Sequence, residues 1–324
     1  MMRRIGSMGL ALLLAASTAD SQRITRPIGR RGSTAQSYTQ RITLAFQGRQ
    51  RHYLLHVPAK SSGALLLAFH GGGETPENQE EISGFDALSD AQGFIVAYPE
   101  GIDKSWADGR GTTSADKLKI DDVGFARAIV ANIGRTYKVD PKRVFATGPS
   151  NGGIFVSRLG CEASDVFAGI APVIGTIATA LAPNCRPTNS ITVVGVQGIA
   201  DPVVPFNGGN VGGSIEKAAA GGAVEGSRAT QELWRSLNGC DPTVTSKTDR
   251  PASDRTVATT RTYSGCRQGV TVIWFEVAGG GHRWYPHQAS GVAARVADSK
   301  LGKSAKAIDA SSVIWGIFAT HPRQ

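Results

Sequence analysis

One serine of this chain is enclosed by glycines and stands directly after an apolar run of strand length. The run is Val144–Thr147, the segment Gly148-Pro149-Ser150-Asn151-Gly152 follows it, and an apolar helical stretch continues beyond Gly153. In a strand–turn–helix setting, the pattern G-x-S-x-G exposes a serine hydroxyl as a nucleophile. An ordinary Gly/Ser turn matches so short a pattern about equally well, so the prediction rests on the setting. The chemistry predicted for Ser150 is acyl transfer.

Backbone amides that could hold the resulting oxyanion lie in a second loop, directly after the apolar run Ala64–Phe69. That loop reads His70, Gly71, Gly72 and Gly73. Glycines leave their N–H groups bare, and each donor to a tetrahedral oxyanion is worth about 3 kcal/mol. We expect these glycine amides and the N–H of Asn151 to form an oxyanion hole, and His70 to anchor the loop by hydrogen bonding. A merely flexible glycine loop is the alternative.

A serine hydroxyl is a weak nucleophile, so it needs a base and a carboxylate that fixes the tautomer of that base. Asp201 follows the apolar run Ile191–Val196, and His282 follows a run of glycines after a predicted strand that ends at Val277. The order Ser, Asp, His along the chain is one that nucleophilic serine sites use. Rival candidates are Asp241 and Asp254 as the acid and His287 as the base.

The elements that would position these residues alternate between strands and helices. Continuous apolar runs predict strands buried on both faces at 64–69, 94–98, 144–147 and 191–196. A hairpin is predicted within 41–57, later strands at 256–263 and 271–277, and helices at 121–137, 225–237 and from 309 onward. This alternation predicts an α/β fold with a mostly parallel central sheet flanked by helices, and a site at the carboxyl ends of the strands.

The N-terminal residues predict export. A basic start, a short apolar stretch and small residues come in the order of a signal peptide, which we predict over residues 1–19. Residues 20–40 are predicted to be a flexible basic arm, and residues 41–324 a single catalytic domain. The formal net charge of +9 includes Arg3 and Arg4, which would leave with the signal peptide, and the arm is interpreted as a solvated tail. We expect a secreted or periplasmic protein without a nucleic-acid partner or stable membrane anchoring.

Export also bears on the four cysteines, Cys161, Cys185, Cys240 and Cys266. In an oxidising compartment they are expected to pair, and sequence alone leaves three pairings open. Pairing between sequence neighbours would close two short loops, each contributing about 3 kcal/mol. A metal site is disfavoured because no cysteine has a Cys or His neighbour at ligand spacing.

Several stretches between Thr43 and Trp315 match one family. They are residues 70–74, 85–101, 121–125, 148–153, 200–205 and 279–282. They resemble the α/β-hydrolase esterases grouped with extracellular polyhydroxybutyrate depolymerases and feruloyl or acetylxylan esterases. The resemblance implies the α/β-hydrolase fold, the triad of Ser150, Asp201 and His282, and disulfides that join Cys161 to Cys185 and Cys240 to Cys266. Two positions depart from the family pattern: Pro149 stands where a residue with a backbone N–H is usual, and Gln197 where a histidine is frequent.

The expected function is that of a secreted serine carboxylic ester hydrolase that needs no cofactor. Its expected substrate is an ester, either a polyester oligomer or an esterified polysaccharide or phenolic ester. Trp106 and Trp284 are candidates for lining the substrate pocket, with buried packing as the alternative role for each. A secreted serine peptidase of the same fold and a catalytically silent binding protein are the alternative functions.

Overall fold

The computed structural model describes residues 36–212, 221–286 and 298–324, which belong to one compact unit. The predicted signal peptide, the arm up to residue 35 and the alternative base His287 lie outside the described residues. The first strand begins at Tyr38, three positions before the domain boundary that the sequence predicts.

The described strands follow one another along the chain as β1 (Tyr38–Phe46), β2 (Arg49–Val57), β3 (Leu65–Ala68), β4 (Ile95–Pro99), β5 (Val144–Pro149), β6 (Gly169–Val173), β7 (Thr192–Gly198), β8 (Gly209–Asn210), β9 (Ala223–Val224), β10 (Val244–Thr248), β11 (Val257–Tyr263) and β12 (Val272–Ala278). Ten of them form one sheet in the order β1-β2-β4-β3-β5-β6-β7-β12-β11-β10. The run from β4 to β12 is parallel, and both ends of the sheet are antiparallel. The predicted mostly parallel central sheet is confirmed.

The helices that the structure describes include α1 (Pro76–Ser83), α2 (Phe85–Gln92), α3 (Ser114–Lys117), α4 (Asp122–Thr136), α5 (Asn151–Glu162), α6 (Ser227–Asn238) and α7 (Ala310–Thr320). Two of them begin where the sequence predicts, because the side chains of Asp121 and Asp309 accept hydrogen bonds from the first turns of α4 and α7.

Each face of the sheet carries its own apolar core. Alternate residues of a strand point to opposite faces, so Leu65 and Leu67 of β3 belong to one core, with α4, α5 and α6, and Leu66 belongs to the other, with α2 and α7. Burial on both faces is the reason that the central strands read as continuous apolar runs rather than as alternating patterns.

Two disulfides join Cys161 to Cys185 and Cys240 to Cys266. This is the pairing that the family resemblance implies. The first ties the end of α5 to the chain before β7, and the second ties the chain after α6 to the chain after β11. In the part of the chain that the structure describes, no helix has the length and apolar character needed to cross a membrane.

Candidate active site

Ser150 lies on a sharp turn between β5 and α5. Its φ of 55° and ψ of −124° are unusual for a residue with a side chain and cost about 1–3 kcal/mol. The Ser150 N–H donates to Val173 O of β6 at 3.0 Å, which holds the turn. Glycines are needed where backbones meet, since a Cβ on Gly148 would lie 2.5 Å, and one on Gly152 2.6 Å, from Phe69 O. The turn therefore leaves the Ser150 side chain half-buried at the carboxyl end of the sheet.

An acid–base pair is formed by the loops after β7 and β12. His282 Nδ1 lies 2.8 Å from Asp201 Oδ2, and the Asp201 side chain has no exposed surface. Asp201 Oδ1 accepts the N–H groups of Val203 and Val204, each at 2.8 Å. Because an ionised carboxylate only accepts, the Nδ1 atom carries the ring proton and the Nε2 atom is left as the basic nitrogen.

The turn that carries His282 is fixed by its own contacts. The Tyr285 hydroxyl donates to Gly281 O, and burial, with a smaller contribution from the Asp201 charge, raises the pKa of Tyr285 well above its ordinary value. The Ala200 N–H donates to Gly280 O at 3.1 Å, so the loops of the acid and the base are joined directly.

Ser150 and the acid–base pair lie at one edge of the sheet. Strands β5, β6, β7 and β12 are neighbours and parallel, so their carboxyl ends meet there. Within the described residues, no hydrogen bond joins Ser150 Oγ to His282. The structure thus brings Asp201 and His282 into contact and Ser150 to the same edge.

The rival acids lie in other surroundings. Asp241 is exposed after α6, and Asp254 accepts hydrogen bonds from Thr256 and from the N–H of Lys306. Neither carboxylate contacts His282 in the part of the chain that is described. His287 falls outside it.

The three glycine amides differ in whether they are free. The Gly71 N–H donates to the Glu74 carboxylate at 3.1 Å, and the Gly73 N–H donates to Lys104 O at 2.8 Å. The N–H groups of Gly72 and Asn151 have no partner within the described residues. A Cβ on Gly72 would lie 3.5 Å from Asn151 Cβ, so these two unengaged donors are neighbours. The sequence predicts all three glycine amides as oxyanion donors and does not indicate which of them is free.

His70 is tied to backbone through both ring nitrogens. Its Nε2 accepts the N–H of Gly101 at 3.0 Å, so its Nδ1 is the nitrogen that donates to Gly71 O, at 2.7 Å. Burial lowers the pKa of His70, which keeps the ring neutral and this tautomer in place. The ring therefore ties the glycine loop to the backbone at Gly101.

The side chain of Asn151 is enclosed by the loop that follows β4. Its Oδ1 accepts the N–H of Trp106 at 2.9 Å, and its Nδ2 donates to Trp106 O at 3.1 Å and to Asp108 Oδ2 at 2.6 Å. Asp108 is ion-paired with Arg110 at 2.7 Å. Sequence reasoning missed Asp108, Arg110 and Glu74, because Asp108-Gly109-Arg110-Gly111 indicates only a turn and nothing in it names a partner 43 residues away.

The two candidate pocket tryptophans are both buried. Trp106 has no exposed surface, packs on Phe155 and donates from its indole to His70 O at 2.9 Å. Trp284 is 4% exposed, packs on Phe85 and donates to Ser311 Oγ. Both side chains are thus held in packing and hydrogen-bonding contacts of the protein interior.

The two departures from the family pattern lie beside the reacting groups. Pro149 ends β5, and because the next N–H, that of Ser150, donates to β6, the missing amide does not interrupt the turn. Gln197 of β7 donates from Nε2 to Val204 O at 3.1 Å. Among the described residues, no group of three or more His, Cys, Asp or Glu side chains is arranged to hold a metal ion.

The chain is similar to proteins named as esterases, although no family model matches it. It is 32% identical over 308 residues to "Putative esterase NocK" of Nocardia uniformis subsp. tsuyamanensis, covering 91% of this chain and 88% of that protein. It is 30% identical over 204 residues to "Feruloyl esterase B" of Piromyces equi, covering 60% of this chain. The match spans only 34% of the length of the Piromyces protein.

Among solved structures, an acetyl xylan esterase from Aspergillus awamori superposes with a TM-score of 0.53. The alignment covers 76% of this chain and 94% of that one, at 16% identity. A likeness at this identity concerns the fold.

Proposed function

The chain belongs to the α/β-hydrolase esterases, the carboxylic ester hydrolases that include feruloyl and acetylxylan esterases, and from this premise we propose that it works through a serine nucleophile. The proposed nucleophile is Ser150, the general base is His282, and Asp201 orients the base. The observation that carries the proposal is the 2.8 Å contact between His282 and the buried Asp201 carboxylate, at the sheet edge where the strained turn places Ser150.

In the proposed reaction, His282 Nε2 takes the proton of Ser150 while Oγ forms a bond to the ester carbonyl carbon. The tetrahedral intermediate then breaks its bond to the alkoxy group, which takes the proton from His282 and leaves as the alcohol. Water, deprotonated by the same nitrogen, attacks the acyl group on Ser150. The second tetrahedral intermediate then breaks its bond to Ser150 Oγ, and Oγ takes the proton back from His282. The carboxylic acid is released and the serine hydroxyl is restored, so no cofactor is consumed.

The oxyanion is proposed to lie between the N–H groups of Gly72 and Asn151. This choice is supported by the partners that already occupy the amides of Gly71 and Gly73. Loss of one such donor costs about 2.7–4 kcal/mol of transition-state stabilisation. The amide of Asn151 is also the first N–H of α5, where the helix dipole favours negative charge.

We propose that the protein is exported and acts on an ester of a plant polysaccharide or phenolic acid, with a hydroxyalkanoate oligomer as the second substrate class. The similarity to the feruloyl esterase of Piromyces equi supports a feruloyl ester. The two disulfides support an oxidising compartment, because such bonds persist there and are rare in the cytosol.

The test is covalent labelling of the purified protein by a fluorophosphonate probe, with the disulfides intact. Wild type should be labelled and Ser150→Ala should not. Ser236→Ala removes an exposed serine of α6 and should be labelled as wild type is. Hydrolysis of p-nitrophenyl acetate, methyl ferulate and a hydroxybutyrate oligomer then ranks the ester classes.

Two outcomes would count against the proposal. Folded wild-type protein that neither takes the label nor hydrolyses any of the three esters would favour the silent binding protein. Labelling of Ser150 with hydrolysis of peptides but not esters would favour the peptidase.

A further inference from the structure

The side chain of Asn151 is fully committed to the protein. Its oxygen and its nitrogen make three hydrogen bonds, to the backbone N–H and C=O of Trp106 and to the Asp108 carboxylate, and the residue is 5% exposed. No hydrogen-bonding capacity of practical use remains for a substrate. What these bonds do is fix the first residue of α5, and with it the direction of the Asn151 N–H.

Asp108 lies where its carboxylate can act only through other residues. The residue has no exposed surface, so it does not touch substrate. Its Oδ2 accepts from Asn151 Nδ2 at 2.6 Å and from the Arg110 side chain, and its Oδ1 accepts the Arg110 N–H at 3.1 Å. Both oxygens are thus held, and the shortest of these contacts is the one to Asn151.

The charge of Asp108 requires a counter-ion at this position. An unpaired carboxylate buried at this position would repel the negative oxyanion that the neighbouring Asn151 N–H is proposed to bind. Arg110 supplies the compensation, with its side chain 6% exposed and a further hydrogen bond from Nη1 to Gly221 O. The pair can therefore hold Asn151 without adding net charge beside the oxyanion.

The loop that carries Asp108 is itself braced. The N–H of Ala107 donates to Asp122 at 2.8 Å, and Arg158 of α5 donates to Ala107 O at 2.8 Å. Asp122 is paired with the buried Arg51 at 2.8 Å. Buried polar contacts at the residue before Asp108 therefore brace the loop.

We infer that Asp108 is a positioning residue of the esterase site: by accepting from the Asn151 side chain it aims the Asn151 N–H at the oxyanion, and Arg110 cancels its charge. This inference rests on the proposed function. It goes beyond it in assigning a task to the loop after β4, which contacts neither Ser150 nor the acid–base pair through the hydrogen bonds described above.

The test compares Asp108→Leu, which keeps the branched side-chain skeleton but removes the acceptor oxygens, with Asp108→Asn, which keeps an acceptor oxygen for Asn151. Loss of a whole oxyanion donor lowers kcat by about 10²–10³-fold, so a misdirected donor in Asp108→Leu should lower kcat by about 10–100-fold with little change in KM. Asp108→Asn should retain kcat within about threefold, since the donor is still held.

A tetrahedral adduct gives a second readout. An alkyl boronic acid bonds to the nucleophile and places an oxygen in the oxyanion hole, so its inhibition constant should rise in Asp108→Leu in proportion to the loss of kcat/KM. A support that only stabilised the fold would lower the melting temperature and leave both quantities unchanged in the folded fraction.

Asn151→Ala keeps the backbone N–H but removes the side-chain hydrogen bond to Asp108. It replaces Asp108→Leu as the test variant if Asp108→Leu does not fold. It should show the same loss of kcat, and Asp108→Leu should add little to it in the double variant. Folded Asp108→Leu or Asn151→Ala with wild-type kcat would overturn the inference, as would an Asp108→Asn enzyme as impaired as Asp108→Leu. Failure of wild type itself to hydrolyse esters would instead overturn the proposed function.

Discussion

Asp201→Asn should remove most of the activity by moving a proton on His282. In wild type, Asp201 Oδ1 accepts the N–H groups of Val203 and Val204, and Oδ2 faces His282 Nδ1. In the variant, the two backbone donors will keep the carboxamide oxygen on their side, so the NH2 group will face the ring. Because NH2 only donates here, Nδ1 must accept, and the ring proton shifts to Nε2, where it blocks abstraction from Ser150.

The expected loss is about 10⁴-fold in kcat, which corresponds to about 5 kcal/mol at the transition state. The alternative orientation of the amide is disfavoured, because it would turn an NH2 group toward the N–H groups of Val203 and Val204. A buried donor left without an acceptor costs about 1–3 kcal/mol, and two would be left. The structure therefore predicts that nearly all molecules carry the inactive tautomer.

The assay is the steady-state hydrolysis of p-nitrophenyl acetate. Ser150→Ala gives the background rate, and circular dichroism checks that each variant is folded. Asp254→Asn is the matched control, since Asp254 contacts Thr256 and Lys306 instead of the histidine, and it should keep the wild-type kcat. A folded Asp201→Asn enzyme within about tenfold of wild type would refute the reasoning. If Asp254→Asn lost activity and Asp201→Asn did not, Asp254 would be the acid that orients the histidine.

Three further predictions concern the supports of the site. Gly148→Ala should lower the free energy of unfolding by about 1–3 kcal/mol and should also lower kcat, because its Cβ would lie 2.5 Å from Phe69 O. Wild-type values in both urea unfolding and kinetics would contradict this. Replacing both Cys161 and Cys185 by serine should lower the free energy of unfolding by about 3 kcal/mol in guanidinium titrations, and an unchanged midpoint would exclude a stabilising bond. Burial lowers the pKa of His70, so below the ordinary histidine pKa of about 6.5 the unfolded state binds more protons than the folded state. The free energy of unfolding should therefore fall as the pH drops below that value, by up to about 1.4 kcal/mol per pH unit. In His70→Gln the difference in stability between pH 7 and pH 5 should shrink, and an equal difference would show that His70 is not the group responsible.

The sequence predicts the placement of the candidate residues at the sheet edge well, because that placement follows from a rule about strand ends. Ser150, Asp201 and His282 each lie in the turn or loop that follows an apolar run, and parallel strands bring such positions to the same edge. The contact between Asp201 and His282 could therefore be anticipated without coordinates. The central runs were also long and apolar enough to identify as strands buried on both faces.

Strand β6 escaped prediction because two of its residues argue against a strand. The strand Gly169–Val173 begins with a glycine and contains Pro172, and both residue types are poor strand formers. Proline is normally confined to sheet edges because it has no N–H to donate. In the structure β6 is central, and Pro172 pairs with Gly148 of β5. Tertiary burial overrides the local preference there, and a single sequence does not report it.

Contacts between distant loops set the finer features of the site, and a linear pattern does not encode them. The partners of Asn151 lie 43 to 45 residues earlier in the chain. Likewise, only the fold shows that the Glu74 carboxylate occupies the N–H of Gly71 and leaves that of Gly72 unengaged. The sequence therefore specified a group of candidate amides, and the surrounding loops decide which of them are free.

The departure at position 197 bears on how Asp201 is held. Gln197 Nε2 donates to Val204 O at 3.1 Å, while the N–H of Val204 donates to Asp201 at 2.8 Å. The side chain of residue 197 thus holds the peptide segment that holds the acid. A ring N–H of histidine at this position could make the same single donation, so glutamine preserves the support while changing the group that provides it. Since the bonds to Asp201 itself come from backbone amides and from His282, the substitution alters a brace of the loop and leaves every direct partner of the carboxylate in place.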